Sequence, residues 1–375
     1  MISRTITENI KTKLNRGKAI IIVGPRQVGK TTLIKGLIKH DDYLFFDGDD
    51  PATRTLLDTP NTDQIRMLLE NKKTVFIDEA QRINNIGLTV KIIIDQLQEV
   101  QVWISGSSSF FIFDEFNESL TGRKWEYKLF PISWEEFENH VGFLSAEKQL
   151  EDRLIYGMYP DVINNQGEEI QILKDLVNSY LYKDILAYGG IKKPEVLDKL
   201  VKALALQVGN EVNFNEISQL VGIDRNTVEK YISILEKGYV IFKLPSLSRN
   251  LRNEIKKGKK IYFYDNGIRN AIIGSMNKIQ LRTDVGALWE NFLVAERIKQ
   301  IEYKKRLVNS YFWRTTQQQE IDYIEEINQK LQAFEFKWNP NRKAKISKTF
   351  INNYNTDMFV VNRNNFREFI ILDSK

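Results

Sequence analysis

The stretch Ala19 to Thr32 reads AIIIVGPRQVGKTT, and it restricts the possible folds more than any other part of the chain. Ala19 to Val23 is a continuous apolar run, as expected of a strand buried on both faces of a parallel sheet. Gly24, Gly29, Lys30 and Thr31 complete the pattern G-x-x-x-x-G-K-[ST], with Pro25, Arg26, Gln27 and Val28 between the glycines and Thr32 following. Backbone N–H groups of such a loop can close around phosphate oxygens. Lys30 can reach the β- and γ-phosphates, and the Thr31 hydroxyl can ligate Mg²⁺. Leu33, Ile34, Leu37 and Ile38 form one helical stripe, so a helix N-terminus faces the anion. Strand, loop and helix in this order predict a nucleotide-binding site with Mg²⁺.

At 375 residues the chain exceeds what one hydrophobic core serves, so two or three domains are expected. A hydrophobic content of 42% against 27% charged fits a globular protein, and the net charge of +5 is compatible with an anionic partner. With no cysteine, disulfides, thiolate catalysis and cysteine metal sites are excluded. The two histidines, His40 and His140, lie far apart, which disfavours a histidine metal site. The N-terminus MISRTITENIKTKLNRGK lacks an apolar signal core, and no later run spans a bilayer; the expectation is a cytoplasmic protein without membrane contact.

Residues 1–18 read as an amphipathic helix. Strands at Tyr43–Asp47, Thr74–Asp78 and Val100–Ser105 alternate with helices at Pro51–Leu69 and Ile86–Leu97, which predicts a parallel α/β sheet. VFIDEAQ places Asp78 at a strand tip, to hold the Mg²⁺ water shell, and Glu79 beside it, to orient and deprotonate an attacking water. The next strand ends in Ser105-Gly106-Ser107-Ser108-Ser109. Ser105 or Ser107 can touch the γ-phosphate or the water, and a serine-rich turn is the alternative. Arg123, before a strand at Trp125–Phe130, suits an arginine finger or nucleotide sensor in cis or in trans, or else a surface ion pair.

GPRQVGKTT, VFIDEAQ, WISGSSS and SLTGRKWEYKLFPISWEEF together resemble a bacterial and archaeal AAA-type ATPase family. Its members carry a C-terminal domain of unknown function often described as restriction-endonuclease-like. The likeness continues through YGMYPDVI and YLYKDIL, with Met158 standing where the family more often has glycine. It implies ATP binding and hydrolysis, and a homo-oligomer in which a residue such as Arg123 can work across an interface.

Residues 148–206 read as helices. In FNEISQLVGIDRNTVEKYISILEKGYVI, a helix to Val221, a turn at Gly222-Ile223 and a helix capped by Asp224 precede an apolar strand. That is a winged helix-turn-helix pattern. Arg225, Asn226 and Lys230 would face DNA, and the wing would offer Arg249, Arg252, Lys256, Lys257, Lys259 and Lys260 to phosphates; the alternative is a packing module.

Beyond residue 280 a helix (Gly286–Gln300), strands at Tyr311–Arg314, Glu320–Ile324 and Leu331–Trp338, a basic helix (Arg342–Tyr354) and a strand (Met358–Val361) resemble the PD-(D/E)xK nuclease core. Alternation puts Glu320, Asp322, Glu335 and Lys337 on one face. Asp322, Glu335 and Glu290 are then candidate Mg²⁺ ligands and Lys337 a catalytic residue, with cross-strand Lys–Glu pairing as the plainer alternative.

The expected fold class is multidomain α/β: a P-loop ATPase domain (1–145), a helical linker (146–210), a winged helix (211–280) and an endonuclease-like domain (281–375). The first functional expectation is an ATPase acting on DNA. The second is a nucleotide switch that recruits a protein partner, with the C-terminal half as scaffold. A small-molecule kinase would leave that half without a role.

Overall fold

The apolar run AIIIV forms strand β1 (Ala19–Val23), whose five residues are at most 1% exposed. The computed structural model describes residues 2–107, 119–179, 193–248, 258–315, 317, 319–342 and 347–372. They fall into two compact units, Met1–Pro131 with Lys237–Tyr239, and Ile132–Glu236 with Val240–Lys375.

The first unit runs α1 (Ile6–Lys11), β1, α2 (Lys30–Leu37), β2 (Tyr43–Asp47), α3 (Pro51–Leu57), α4 (Thr62–Leu69), β3 (Thr74–Asp78), α5 (Ile86–Gln96), β4 (Gln101–Gly106) and β5 (Lys124–Lys128). Its strands make one parallel sheet in the order β2-β3-β4-β1-β5. Because β4 separates β1 from β3, its tip lies between the phosphate-loop strand and the acidic strand. Parallel sheets collect their functional loops at the carboxyl ends of the strands, where this order reverses.

Two helices differ from expectation. The N-terminal helix ends at Lys11 rather than near residue 18, since Asn15 (φ 55°) and Gly17 (φ 65°) take left-handed backbone. The stretch Pro51–Leu69 is two helices. Thr59 is left-handed, Pro60 cannot continue a helix, and Asn61 starts α4 with a capping box to Gln64.

The second unit begins with α6 (Trp134–Val141), α7 (Phe143–Tyr156), α8 (Pro160–Asn164), α9 (Glu169–Leu176) and α10 (Pro194–Leu206). After the short β6 (Glu211–Val212), α11 (Phe214–Val221) and α12 (Arg225–Lys237) follow, joined by a turn at left-handed Gly222 (φ 77°). Asp224 Oδ1 accepts from Thr227 N at 3.0 Å, which explains where α12 starts. Next come β7 (Ile241–Pro245) and β8 (Lys259–Phe263), which join β6 in a sheet ordered β6-β8-β7. Then α13 (Asn266–Ile273), α14 (Val285–Tyr303), β9 (Asn309–Arg314), β10 (Glu320–Ile327), β11 (Lys330–Lys337), α15 (Lys348–Tyr354), β12 (Met358–Asn362) and α16 (Phe366–Ile370) complete the chain. The last strands form a sheet ordered β12-β11-β10-β9, antiparallel except for the β11–β12 pair. The expected basic helix from Arg342 is seen only from Lys348, residues 343–346 lying outside the described set, and α16 carried no expectation.

The YGMYP segment is explained by a residue more than a hundred positions away. Asp265 caps α13 through Ile268 N (3.1 Å) and accepts from Met158 N at 2.6 Å. A Cβ on Gly157 (φ 76°) would fall 2.1 Å from the same carboxylate, so glycine is required there. Met158 itself is 2% exposed, so the turn forms with methionine in place of a second glycine. Helix α14 is buried through its own Trp289 and Phe292, which pack with Trp134 and Phe366 at ring distances of 5.4–5.9 Å, and through a buried bidentate pair. In that pair Arg297 reaches Glu325 at 2.6 and 2.7 Å.

Candidate nucleotide site and a carboxylate cluster

The phosphate loop is built by close approach. Gly24 (φ 152°) has Leu129 O where a Cβ would stand, at 1.9 Å, because Leu129 N donates to Val23 O at 2.7 Å. Gln27 (φ 58°) and Gly29 (φ 92°) are both left-handed, so the loop curls before Lys30 opens α2. Lys30 is 6% exposed, and its Nζ donates to Gly24 O (3.0 Å) and Pro25 O (2.7 Å), which fixes the ammonium over the loop.

Across the sheet, the register Ile77↔Ile104 sets Asp78 beside Ser105. Thr31 Oγ1 donates to Asp78 Oδ2 at 2.8 Å, and the buried Ser105 hydroxyl donates to Asp78 Oδ1. Glu79 turns out of β3 in left-handed backbone (φ 47°). Gly48 makes room for that bend, since a Cβ there would meet Glu79 O at 2.4 Å. The Glu79 carboxylate accepts from Gln81 Nε2, which also donates to Ser107 Oγ at 2.9 Å. Both Gln81 N–H groups are thereby used and its buried Oε1 is left without a partner.

Lys30, Thr31, Asp78, Glu79, Ser105 and Ser107 therefore converge. A hydroxyl and a carboxylate 2.8 Å apart are the hard oxygen donors that Mg²⁺ prefers, and they fit that ion with water completing its shell. Arg123 does not join them. The register Ala19↔Lys124 puts it level with the start of β1, about 20 Å of strand from the loop, and it pairs with Asp95 at 2.6 Å. Ser108 and Ser109 lie outside the described residues.

Two participants had no expected role. Arg4 donates to Val28 O (2.7 Å) and Phe130 O (2.6 Å), bracing the loop from the N-terminal segment. A lone arginine before a helix gives no sequence signal of that. Gln81 was visible in the motif VFIDEAQ, but its tie to Glu79 and Ser107 depends on where β4 ends.

In the second unit, Arg225, Asn226 and Lys230 are exposed along α12, Arg225 pairing with Glu229 at 2.9 Å. Of the expected basic wing, Arg249, Arg252, Lys256 and Lys257 lie outside the described residues, and Lys259 is half-buried. Lys260 overturns its assignment as a phosphate contact. It is fully buried and its Nζ meets Glu290 Oε1 (2.9 Å) and Glu320 Oε1 (2.6 Å). In a strand, alternation turns Lys260 to the face opposite Lys259, and here that face is interior.

Glu290, Glu320, Asp322, Glu335, Lys260 and Lys337 consequently form one cluster. Glu290 also accepts from Tyr262 OH at 2.6 Å, Asp322 accepts from Phe336 N at 2.8 Å, and Glu335 accepts from Lys337 Nζ at 2.6 Å. Burial lifts the Glu290 carboxyl to about 7 against the pull of Lys260. Burial and then the Asp322 charge lift Glu335 to about 7. Burial works against the Lys260 charge, but Glu290, Asp322 and Glu320 outweigh it and hold the ammonium more firmly protonated than usual. Among the described residues no group of three or more His, Asp or Glu side chains is disposed to hold a metal ion. The donors Glu290, Asp322 and Glu335 do not fit a divalent metal in this arrangement, because lysine, tyrosine and a backbone N–H already hold one oxygen of each.

The parallel sheet, with its phosphate loop after β1 and acids after β3, has the fold of a P-loop ATPase-like core. Residues 16–138 match the family model described as an AAA domain. Residues 147–278 and 285–371 match two models described as domains of unknown function, DUF8612 and DUF4143. An uncharacterized protein of Mycobacterium tuberculosis is 26% identical over 339 residues, covering 89% of this chain and 73% of its own. One from Methanocaldococcus jannaschii is 26% identical over 317 residues, 78% and 69% of the two chains. Among solved structures, a Walker-type ATPase of Pyrococcus abyssi superposes with a TM-score of 0.51 at 15% identity, covering 72% of this chain and 96% of that one. Among the described residues no helix is long and apolar enough to cross a membrane.

Proposed function

We propose that the chain binds ATP with Mg²⁺ and hydrolyses it, and that its second unit couples this cycle to DNA. The observation that carries the first half is the shared Asp78 carboxylate, bonded by Thr31 and Ser105 at the mouth of the loop. Lys30 and the loop N–H groups bind the phosphates, and Thr31 with Asp78 would hold Mg²⁺, which neutralises phosphate charge. Glu79 accepts a proton from water as oxygen attacks the γ-phosphorus and the bond to the β-phosphate oxygen breaks. Ser105 orients Asp78, so its role runs through that carboxylate.

The second half rests on two arrangements. Helices α11 and α12 with the β7–β8 hairpin are read as a winged helix, its exposed Arg225, Asn226 and Lys230 available to DNA. The order α14, β9, β10, β11, α15, β12 is read as a PD-(D/E)xK nuclease-like module. A second reading, a nucleotide switch that recruits a protein partner through a catalytically silent module, is favoured by the buried Lys260 within the carboxylate cluster.

The test is Mg²⁺-dependent ATP hydrolysis by wild type, Lys30→Ala and Glu79→Gln, with and without duplex DNA. Hydrolysis lost in both variants, with ATP still bound by Glu79→Gln, is the expected result; normal turnover by Glu79→Gln refutes the base. A several-fold rise with DNA favours the DNA machine, and a rate indifferent to DNA favours the switch.

A further inference from the structure

A nuclease-like module implies a divalent metal between its carboxylates, yet the donors here do not fit one. The cation among them is a side chain. Lys260 reaches in from β8, the central strand of its three-stranded sheet, and its ammonium contacts Glu290 of α14 at 2.9 Å and Glu320 of β10 at 2.6 Å. Asp322 adds its field to the same ammonium. An ammonium with no exposed surface is tolerated only when carboxylates surround it. The strand that carries it is fixed at both edges, with Lys260 in register against Glu211 of β6 and Leu244 of β7. Leu247, just beyond β7, in turn donates to Phe312 O of β9 at 2.7 Å.

We infer that Lys260 is the resident cation of this cluster, a tethered ammonium standing where a divalent metal would otherwise bind, so that the module works without metal. The inference rests on reading the module as nuclease-like. It assigns Lys260 a second consequence, since the ion pairs fasten the β7–β8 hairpin to α14 and β10. Metal and ammonium compete for the same oxygens. The lysine, covalently present at high effective concentration, excludes the ion. Lys337 plays the matching part for Glu335, one of whose oxygens it takes at 2.6 Å. The other oxygen, Oε2, is buried with no partner. Removing the Lys260 charge therefore leaves Glu290 and Glu320 without their ammonium, and Asp322 with the field of Lys337, beside an oxygen already lacking a donor.

Mn²⁺ binding to the nucleotide-free full chain, followed by the paramagnetic resonance of free Mn²⁺, tests this in wild type, Asp322→Asn, Lys260→Met and the double variant. Wild type and Asp322→Asn are expected to bind alike. Lys260→Met should gain one Mn²⁺ per chain and lose it again in the double variant. Mn²⁺ bound by wild type and lost in Asp322→Asn overturns the Lys260 assignment while supporting the nuclease-like reading. No gain in a folded Lys260→Met overturns both, because the carboxylates then make no cation site at all. Should Lys260→Met not fold, wild type and Asp322→Asn decide alone. A melting temperature raised by Mn²⁺ only in wild type refutes the assignment, and one indifferent to Mn²⁺ in both supports it.

Discussion

Arg4→Met isolates the brace under the phosphate loop, because methionine keeps the buried stem and removes both donors. The guanidinium makes two bonds, at 2.7 and 2.6 Å, to carbonyls separated by more than a hundred residues. Bonds to a charged group contribute about 1.5–3 kcal/mol each, so about 3 kcal/mol of stability is expected to be lost, with partial compensation by water. The effect on nucleotide is distinct. Val28 follows Gln27, and holding that non-glycine residue in left-handed backbone (φ 58°) costs about 1–3 kcal/mol. Without Arg4 the loop relaxes, and ATP must restore the curl at its own expense. At about 1.4 kcal/mol, affinity falls about tenfold. Titration with a fluorescent ATP analogue, alongside urea unfolding, separates the two effects. An Arg4→Met variant that loses stability but binds the analogue within twofold of wild type would refute preorganisation of the loop by Arg4.

Gln81→Ala frees the Glu79 carboxylate from its Gln81 donor and unlinks Ser107; kcat should fall about tenfold or more with KM for ATP little changed, and a change confined to KM would contradict this positioning role. Glu325→Leu strands the Arg297 guanidinium in the interior and should cost about 3–5 kcal/mol in urea unfolding, whereas a loss under 1 kcal/mol would show that the arginine finds other partners. Glu290 titrates near 7 when folded, above its ordinary 4.5, so the native state binds the extra proton between those values. Its contribution to stability therefore falls as pH rises from 4.5 to 7; Glu290→Gln should flatten that limb of the stability profile, and an unchanged slope there would count against the shift.

The local chemistry of the nucleotide site was written in sequence because its parts are contiguous: an apolar strand, a glycine loop and an amphipathic helix need only neighbours to form. The same holds for Asp78-Glu79 at the end of TVFID, and for the strand alternation that put Asp322, Glu335 and Lys337 on one face. Breaks in helices were less legible. Pro60 was visible, but the left-handed Thr59 and the Asn61 capping box that make it a boundary were not inferred from periodicity.

Tertiary structure decided what lies beside what. Strand order alone moved β4 between β1 and β3, gave Ser105 to Asp78, and stationed Arg123 at the far end of the sheet. Asp265 reached back to the YGMYP turn, and Arg4 reached forward to the loop. Lys260 makes the distinction clearest. In the sequence it belongs to a run of lysines suited to solvent and phosphate. Only the packing of β8 against α14 and β10 turns alternate residues of that run inward, where desolvation demands carboxylate partners and local composition has no say.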